Sequence, residues 1–212
     1  MDLFDLSRSL LGDYLKDYSE EPYKALSGLK EAILNLGKSL DSEYAEVKEH
    51  VWIHKSAIVA VSASIAGPAI IGANSEIRHN AFIRGSVLVG DNCVVGNSVE
   101  LKNVILFDCV QVPHFNYVGD SILGYKAHMG AGSITSNVKS DHSEVVVAGK
   151  GTGLVKFGAL LGDHVEVGCN AVLNPGSIVG KNSFIYPLVC FRGVVGEGMI
   201  VKANGEAVIK NV

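Results

Sequence analysis

The sequence predicts an all-β fold, a parallel β-helix of six-residue repeats with a short helical segment at its N-terminus. Three observations predict it. From Ile53, every sixth residue is large and apolar: Ile53, Val59, Ile65, Ile71, Ile77, Ile83, Val89, Val95, Leu101 and Phe107. The residue four places after each, up to Cys93, is mostly small: Ala57, Ala63, Ala69, Ser75, Ala81, Val87 and Cys93. Glycine is frequent, with 24 residues, while aromatics make up 7%, a balance that suits many tight corners. A period of six matches neither the 3.6 of a helix nor the 2 of a simple strand. It matches a short strand plus a turn. Three such units would close one triangular coil, and stacked coils would bury a continuous core.

Residues 1–50 read as an N-terminal helical cap. Leu3, Leu6, Leu10 and Leu11 lie at helical spacing, and a second helix is predicted to start near Pro22, a favoured first helical position. Its apolar stripe is Leu26, Leu29, Ile33 and Leu34. A lid over the open first coil is the expected role, since a solenoid needs terminal capping. Residues 51–212 form the β-helix. After Phe107 the register shifts, resumes at Leu123, Met129 and Thr135, and returns as Leu161, Val167, Leu173, Val179, Ile185 and Phe191. Residues 136–158, with Gly149, Gly151 and Gly153, read as an inserted loop leaving the coil. Outward residues such as Ile70, Phe82 and Leu88 are expected to be exposed on the flat faces.

A chain of 212 residues with 48% hydrophobic and 19% charged residues can build one sizeable core. A net charge of −4 gives no basic footprint for nucleic acid. No apolar stretch is long enough to span a membrane. Cys93, Cys109, Cys169 and Cys190 form no CxxC pair and no zinc spacing. With no leader sequence evident at the N-terminus, the expected setting is the reducing cytoplasm.

Three segments carry a resemblance: "VGNSVELKN" at 95–103, "HFNYVGDSILG" at 114–124 and "GAGSITSN" at 130–137. In sequence and mutual spacing they resemble the acetyltransferase half of the bifunctional glucosamine-1-phosphate N-acetyltransferase/N-acetylglucosamine-1-phosphate uridyltransferase family. The tail, through "LGDHVEVGCNAVLNPGSIVG" and "FIYPLV", resembles related sugar-phosphate nucleotidyltransferases. The resemblance implies a left-handed parallel β-helix, a homotrimer, acetyl-CoA as co-substrate, no metal, and an amino-sugar phosphate such as glucosamine-1-phosphate as acceptor. Residues 1–50 are too short and too helical to be the family's nucleotidyltransferase half, so uridyl transfer by this chain alone is not expected.

The resemblance also assigns roles. His114 is the general base; imidazole titrates near neutrality and suits an amine proton. A surface histidine at a corner is the plainer alternative. Asn137 stands near the reacting amine, orienting either the amine or the acetyl carbonyl; otherwise it is a turn asparagine. The Ala131 N–H, in the Gly130-Ala131-Gly132 turn, polarises the thioester oxygen. Arg84, Lys102 and Tyr117 contact the sugar phosphate, with His128 where the family has asparagine. Arg84 and Lys102 are 18 residues apart, one full coil, so they should stack and share a phosphate. A solvated basic face is the alternative. Cys169 and Pro187 fall at the family's acetyl-CoA groove, where it has serine and alanine. Ser143 replaces a phosphate-binding lysine, and Lys139 or Lys150 are candidates to substitute for it.

Two other functions compete. One is a non-catalytic trimeric regulatory or scaffold subunit. The other is a zinc enzyme like the γ-class carbonic anhydrases, although the corresponding turn here reads Arg84-Gly85-Ser86 rather than Arg-Gly-Asp and no close histidine pair is evident.

Overall fold

A computed structural model describes residues 2–210; the ends assigned above at residue 1 and at 211–212 lie outside them. The chain is a β-solenoid of about eight turns with few helices. Short parallel strands lie on three faces, one per face in every coil but the last, which has strands on two. The first face stacks Val51–His54, Ala69–Ile71, Val87–Val89, the ends of Glu100–Leu106 and Tyr117–Leu123, Ala159–Leu161, Ser177–Val179 and Val194–Val195. The second runs from Ile58–Val59 to Met199–Val201. The third runs from Ser64–Ile65 to Cys190–Phe191.

The six-residue period arises because alternate strand residues face inward and a corner absorbs the rest. Isoleucine, valine and leucine suit these inward positions because branched side chains pack well on a pleated surface. The corners hold many non-glycine residues at left-handed φ, including Asn74 (55°), Asn80 (61°), Asn92 (56°), Asn103 (57°) and Asn170 (55°). Asparagine tolerates that region better than most residues.

Pairing steps of 18 residues (Ile53 with Ile71, Ile71 with Val89) give way to steps of 17 (Val89 with Leu106, Leu106 with Leu123). The missing residue is lost at the corner between the third and first faces, where Asn103 and Asp120 each make the turn within a continuous strand. This corrects the tenth repeat position. Leu106, not Phe107, pairs with Val89. Phe107 is buried because its ring meets Phe4 at 5.2 Å between centroids.

The N-terminal helices do not close the end of the solenoid. Residues 2–5 are not helical; helix α1 is Gly12–Lys16 and α2 is Ala25–Gly37, entered through a 3₁₀ turn at Pro22–Lys24. Helix α2 packs along the first face against strands Ala69–Ile71, Val87–Val89 and Glu100–Leu106. Leu26, Leu29 and Ile33 are the buried members of its stripe. The segment before it pairs with the solenoid edge: Asp163 N–H donates to Leu3 O (3.0 Å) and Asp108 N–H to Arg8 O (3.0 Å). Ile70 and Leu88 are therefore fully buried rather than exposed, because α2 covers their column. Phe82, on the third face, is 44% exposed.

The solenoid edges are closed by antiparallel strands instead. Strand β1 (Tyr44–Lys48) pairs β2 (Val51–His54) at the start, and Ala207–Ile209 pairs Met199–Val201 at the end. That arrangement blunts edges which would otherwise template association. Among the described residues, no helix is long and apolar enough to cross a membrane.

Candidate functional site

The corner between the second and third faces carries one polar ladder. Here the N–H of each corner residue donates to the carbonyl of the preceding coil. Phe115 N–H reaches Asn97 O (3.0 Å), Gly132 reaches His114 O (3.0 Å), Asn170 reaches Ala131 O (2.9 Å) and Leu188 reaches Cys169 O (3.0 Å). His114, Ala131, Cys169 and Pro187 consequently occupy equivalent positions on successive coils. His114 is exposed at the end of strand Gln111–His114, with its backbone N–H bound by Asn116 Oδ1 (3.1 Å). Asn116 is buried and ties this turn to the next, donating to Gly130 O (2.8 Å) and Ser133 O (3.2 Å).

Above His114, a groove of about 270 Å³ opens beside Gly130, Gly168, Cys169, Tyr186 and Pro187. His128 lines its second-face side, where its Nδ1 lies 2.7 Å from Glu166 Oε2. Within the chain, His128 stands on the second face and away from Arg84, Lys102 and Tyr117, with which the resemblance grouped it.

Those residues converge at the other edge of the third face, at the shortened corner. Lys102 Nζ bonds both carboxylate oxygens of Asp120, at 2.9 and 3.0 Å. Asn103 Nδ2 also bonds Asp120 (2.9 Å), and Asn137 Nδ2 bonds its other oxygen. Asp120 is buried, at 3% exposure, and holds φ at 46°. Gly119 has no side chain for a reason specific to this spot. A Cβ there would lie 2.5 Å from the Tyr117 hydroxyl and 2.9 Å from Asn137 Nδ2.

Burial pushes the Tyr117 phenol above its ordinary value, and the Asp120 and Glu100 carboxylates add to the effect. Tyr117 thus remains protonated, able to donate, at neutral pH. Arg84 stacks one coil before Lys102, its N–H donating to Leu101 O (2.8 Å). Its guanidinium is held by Glu100 at 2.7 Å. Both cations that the sequence offered to one phosphate therefore already face carboxylates of this chain.

The insertion leaves the coil at this corner. Phe157 N–H donates to Asn137 O (2.9 Å) and Gly158 N–H to Asp120 O (2.8 Å), closing its base. Its small hairpin pairs Val146–Val147 with Lys150–Gly151. Lys139 bonds Ser143 and lies 3.6 Å from Asp141. Lys150 lines a different groove, with Tyr23, Leu160 and Val194 on the first-face side. Sequence reasoning missed Asp120, Glu100, Gly119 and Glu166. The legible signal for Asp120 and Asn103 was the break in period, which marks where the corner is shortened. Among the described residues, no group of three or more His, Cys, Asp or Glu could hold a metal ion.

Residues 65–174 match the family model described as the GMPPB C-terminal domain. A bifunctional sugar-1-phosphate nucleotidylyltransferase/acetyltransferase of Sulfurisphaera tokodaii is 37% identical over 109 residues, 50% of this chain and 27% of that protein. A bifunctional protein GlmU of Methanococcus maripaludis is 35% identical over 116 residues, 53% of this chain and 28% of its own. The chain thus spans about a quarter of the length of these relatives. Among solved structures, the acetyltransferase domain of PglB from Neisseria gonorrhoeae, in complex with acetyl coenzyme A, is 18% identical. That comparison covers 84% of this chain and 63% of the other, with a TM-score of 0.39. A hexapeptide transferase family protein from Anaplasma phagocytophilum, also 18% identical, covers 71% and 72% with a TM-score of 0.41.

Proposed function

The chain belongs to the GMPPB C-terminal domain family, and on that premise we propose that it is an acetyl-CoA-dependent N-acetyltransferase acting on an amino-sugar phosphate such as glucosamine-1-phosphate. The observation that carries the reading is the column His114, Ala131, Cys169 and Pro187, which sets an exposed imidazole one coil below a groove lined by Gly130 and Gly168. The names of the curated relatives, which include an acetyltransferase, support the same reaction class.

In this reading the acceptor's amine nitrogen forms the bond to the thioester carbonyl carbon, and the C–S bond breaks. His114 takes the proton lost by the amine and returns it to the departing thiolate, so CoA leaves as its thiol. The Ala131 N–H stabilises the carbonyl oxygen while it carries negative charge. Lys102, Tyr117, Asn137 and Arg84 hold the acceptor, and the groove beside Cys169 and Pro187 holds acetyl-CoA. The homotrimer that the resemblance implies belongs to this reading, with the exposed Phe82 on the third face as a contact.

A calorimetric titration with acetyl-CoA tests the groove. The expected result is saturable binding by the wild-type chain, weakened at least about tenfold by Cys169→Trp, which fills the groove. Absence of binding to any CoA species would instead favour a non-catalytic scaffold or regulatory subunit. One observation motivates that second reading: Arg84 and Lys102 are each neutralised by a carboxylate of this chain, and Ser143 replaces the expected lysine.

A further inference from the structure

Asp120 has no part in the scheme above, yet it touches more of the acceptor cluster than any residue in it. Its carboxylate is buried and receives Lys102, Asn103 and Asn137 together. A carboxylate only accepts hydrogen bonds, so the Asn137 atom against it must be the amide nitrogen. The Tyr117 hydroxyl and that same nitrogen both border the space that Gly119 leaves empty. With the nitrogen turned to Asp120, the end of the amide turned away from the carboxylate is Oδ1, an acceptor.

We propose that Asp120 is a positioning residue: it fixes the Asn137 side-chain amide so that Oδ1 faces the acceptor's amine, and it holds Lys102 in place. This rests on the acetyl-transfer reading and decides a choice that reading left open. With its nitrogen held by Asp120, Asn137 presents Oδ1 rather than an N–H to the reacting centre. It accepts one N–H of the attacking amine and aims the nitrogen lone pair, leaving oxyanion stabilisation to the Ala131 N–H. A buried carboxylate without partners would be costly, so the chain supplies three donors to it. The insertion's base is bonded to the Asp120 carbonyl, which ties the position of this group to the exit of the loop.

Two measurements test the proposal. In steady-state kinetics, Asp120→Asn should lower kcat by about 10- to 100-fold while the KM for acetyl-CoA is unchanged. On an Asn137→Ala background the same substitution should change kcat by less than about threefold, because its effect on kcat passes through Asn137, while the lost hold on Lys102 raises the KM for the amino sugar. A kcat within about twofold of wild type, or an undiminished effect without Asn137, overturns the proposal. The second measurement needs no turnover. In ¹⁵N-labelled wild-type protein, the Asn137 side-chain NH₂ pair, assigned by its absence in Asn137→Ala, should be protected from solvent exchange. An unprotected pair overturns the proposal even if the enzyme is active and even if Asp120→Asn fails to fold. A protected pair in a chain that releases no thiol upholds the positioning role and sinks the acetyl-transfer reading instead.

Discussion

Leu188 holds φ at 63° on the corner that follows Pro187, with its side chain 76% exposed. A branched residue there carries the left-handed penalty with little burial to offset it. Leu188→Asn should stabilise the chain by about 1 kcal/mol, read as a rise in Tm of about 2–4 °C. An unchanged or lower Tm would mean that Leu188 makes contacts the isolated chain does not show. His114 is the opposite case, a residue whose removal should leave folding intact. His114→Ala should lower turnover by at least about 10²-fold with little change in Tm. Gly119→Ala should act on the acceptor cluster by pressing on Tyr117 and Asn137, and it should raise the KM for the amino sugar more than that for acetyl-CoA. At this scale the sequence made legible the stacking of Arg84 one coil before Lys102, which the spacing of 18 residues predicts. It was opaque for Asp120 and Glu100. Their importance lies in facing Lys102 and Arg84 from neighbouring coils, and no spacing rule for cations alone predicts that the partners are already present.

The N-terminal strap is the element whose placement departed most from expectation. Its apolar stripe was readable, but a stripe says only that a helix buries one side, not which surface receives it. The receiving surface is the column Ile70, Leu88 and Ile105, outward residues of the first face that are apolar in coil after coil. Leu29, fully buried between α2 and the solenoid, should cost about 2–5 kcal/mol on substitution by alanine. Gly37→Ala should also destabilise, because a Cβ there would stand 2.5 Å from the Trp52 ring. Urea unfolding measures both.

The start of the strap gives a pH signature. Asp163 accepts N–H bonds from Asp5 (2.7 Å) and Tyr125 (2.8 Å), yet burial outweighs them and raises its pKa above the ordinary 3.8. The native state therefore binds this proton more tightly than the unfolded chain. The resulting stability is fully present below the ordinary value and is lost as pH rises through the raised one. Compared with Asp163→Asn, wild-type stability should fall as pH rises from the ordinary carboxylate value of 3.8. A parallel pH dependence in the two proteins would contradict the assignment.

Over the whole molecule, the repeat was the most legible feature because the core enforces it. Every coil must deliver an apolar residue to each interior column, and a one-residue slip would turn a strand inside out. What the period could not convey was the reason for its own interruption. The loss of one residue at Asn103 and again at Asp120 tightens one corner on two successive coils, and the cluster of Lys102, Asp120 and Asn137 sits there. The 136–158 insertion departs from the same edge, so these two irregularities meet there; a further shortening, to a step of 16 between Val179 and Val195, lies nearer the C-terminus.

Acetyl transfer by this arrangement is read out by a thiol-release assay with acetyl-CoA and glucosamine-1-phosphate. Free CoA thiol should appear only when both substrates are present, and its release should fall at least about 10²-fold in His114→Ala. No release with both substrates, or release that His114→Ala leaves unchanged, would contradict acetyl transfer through His114.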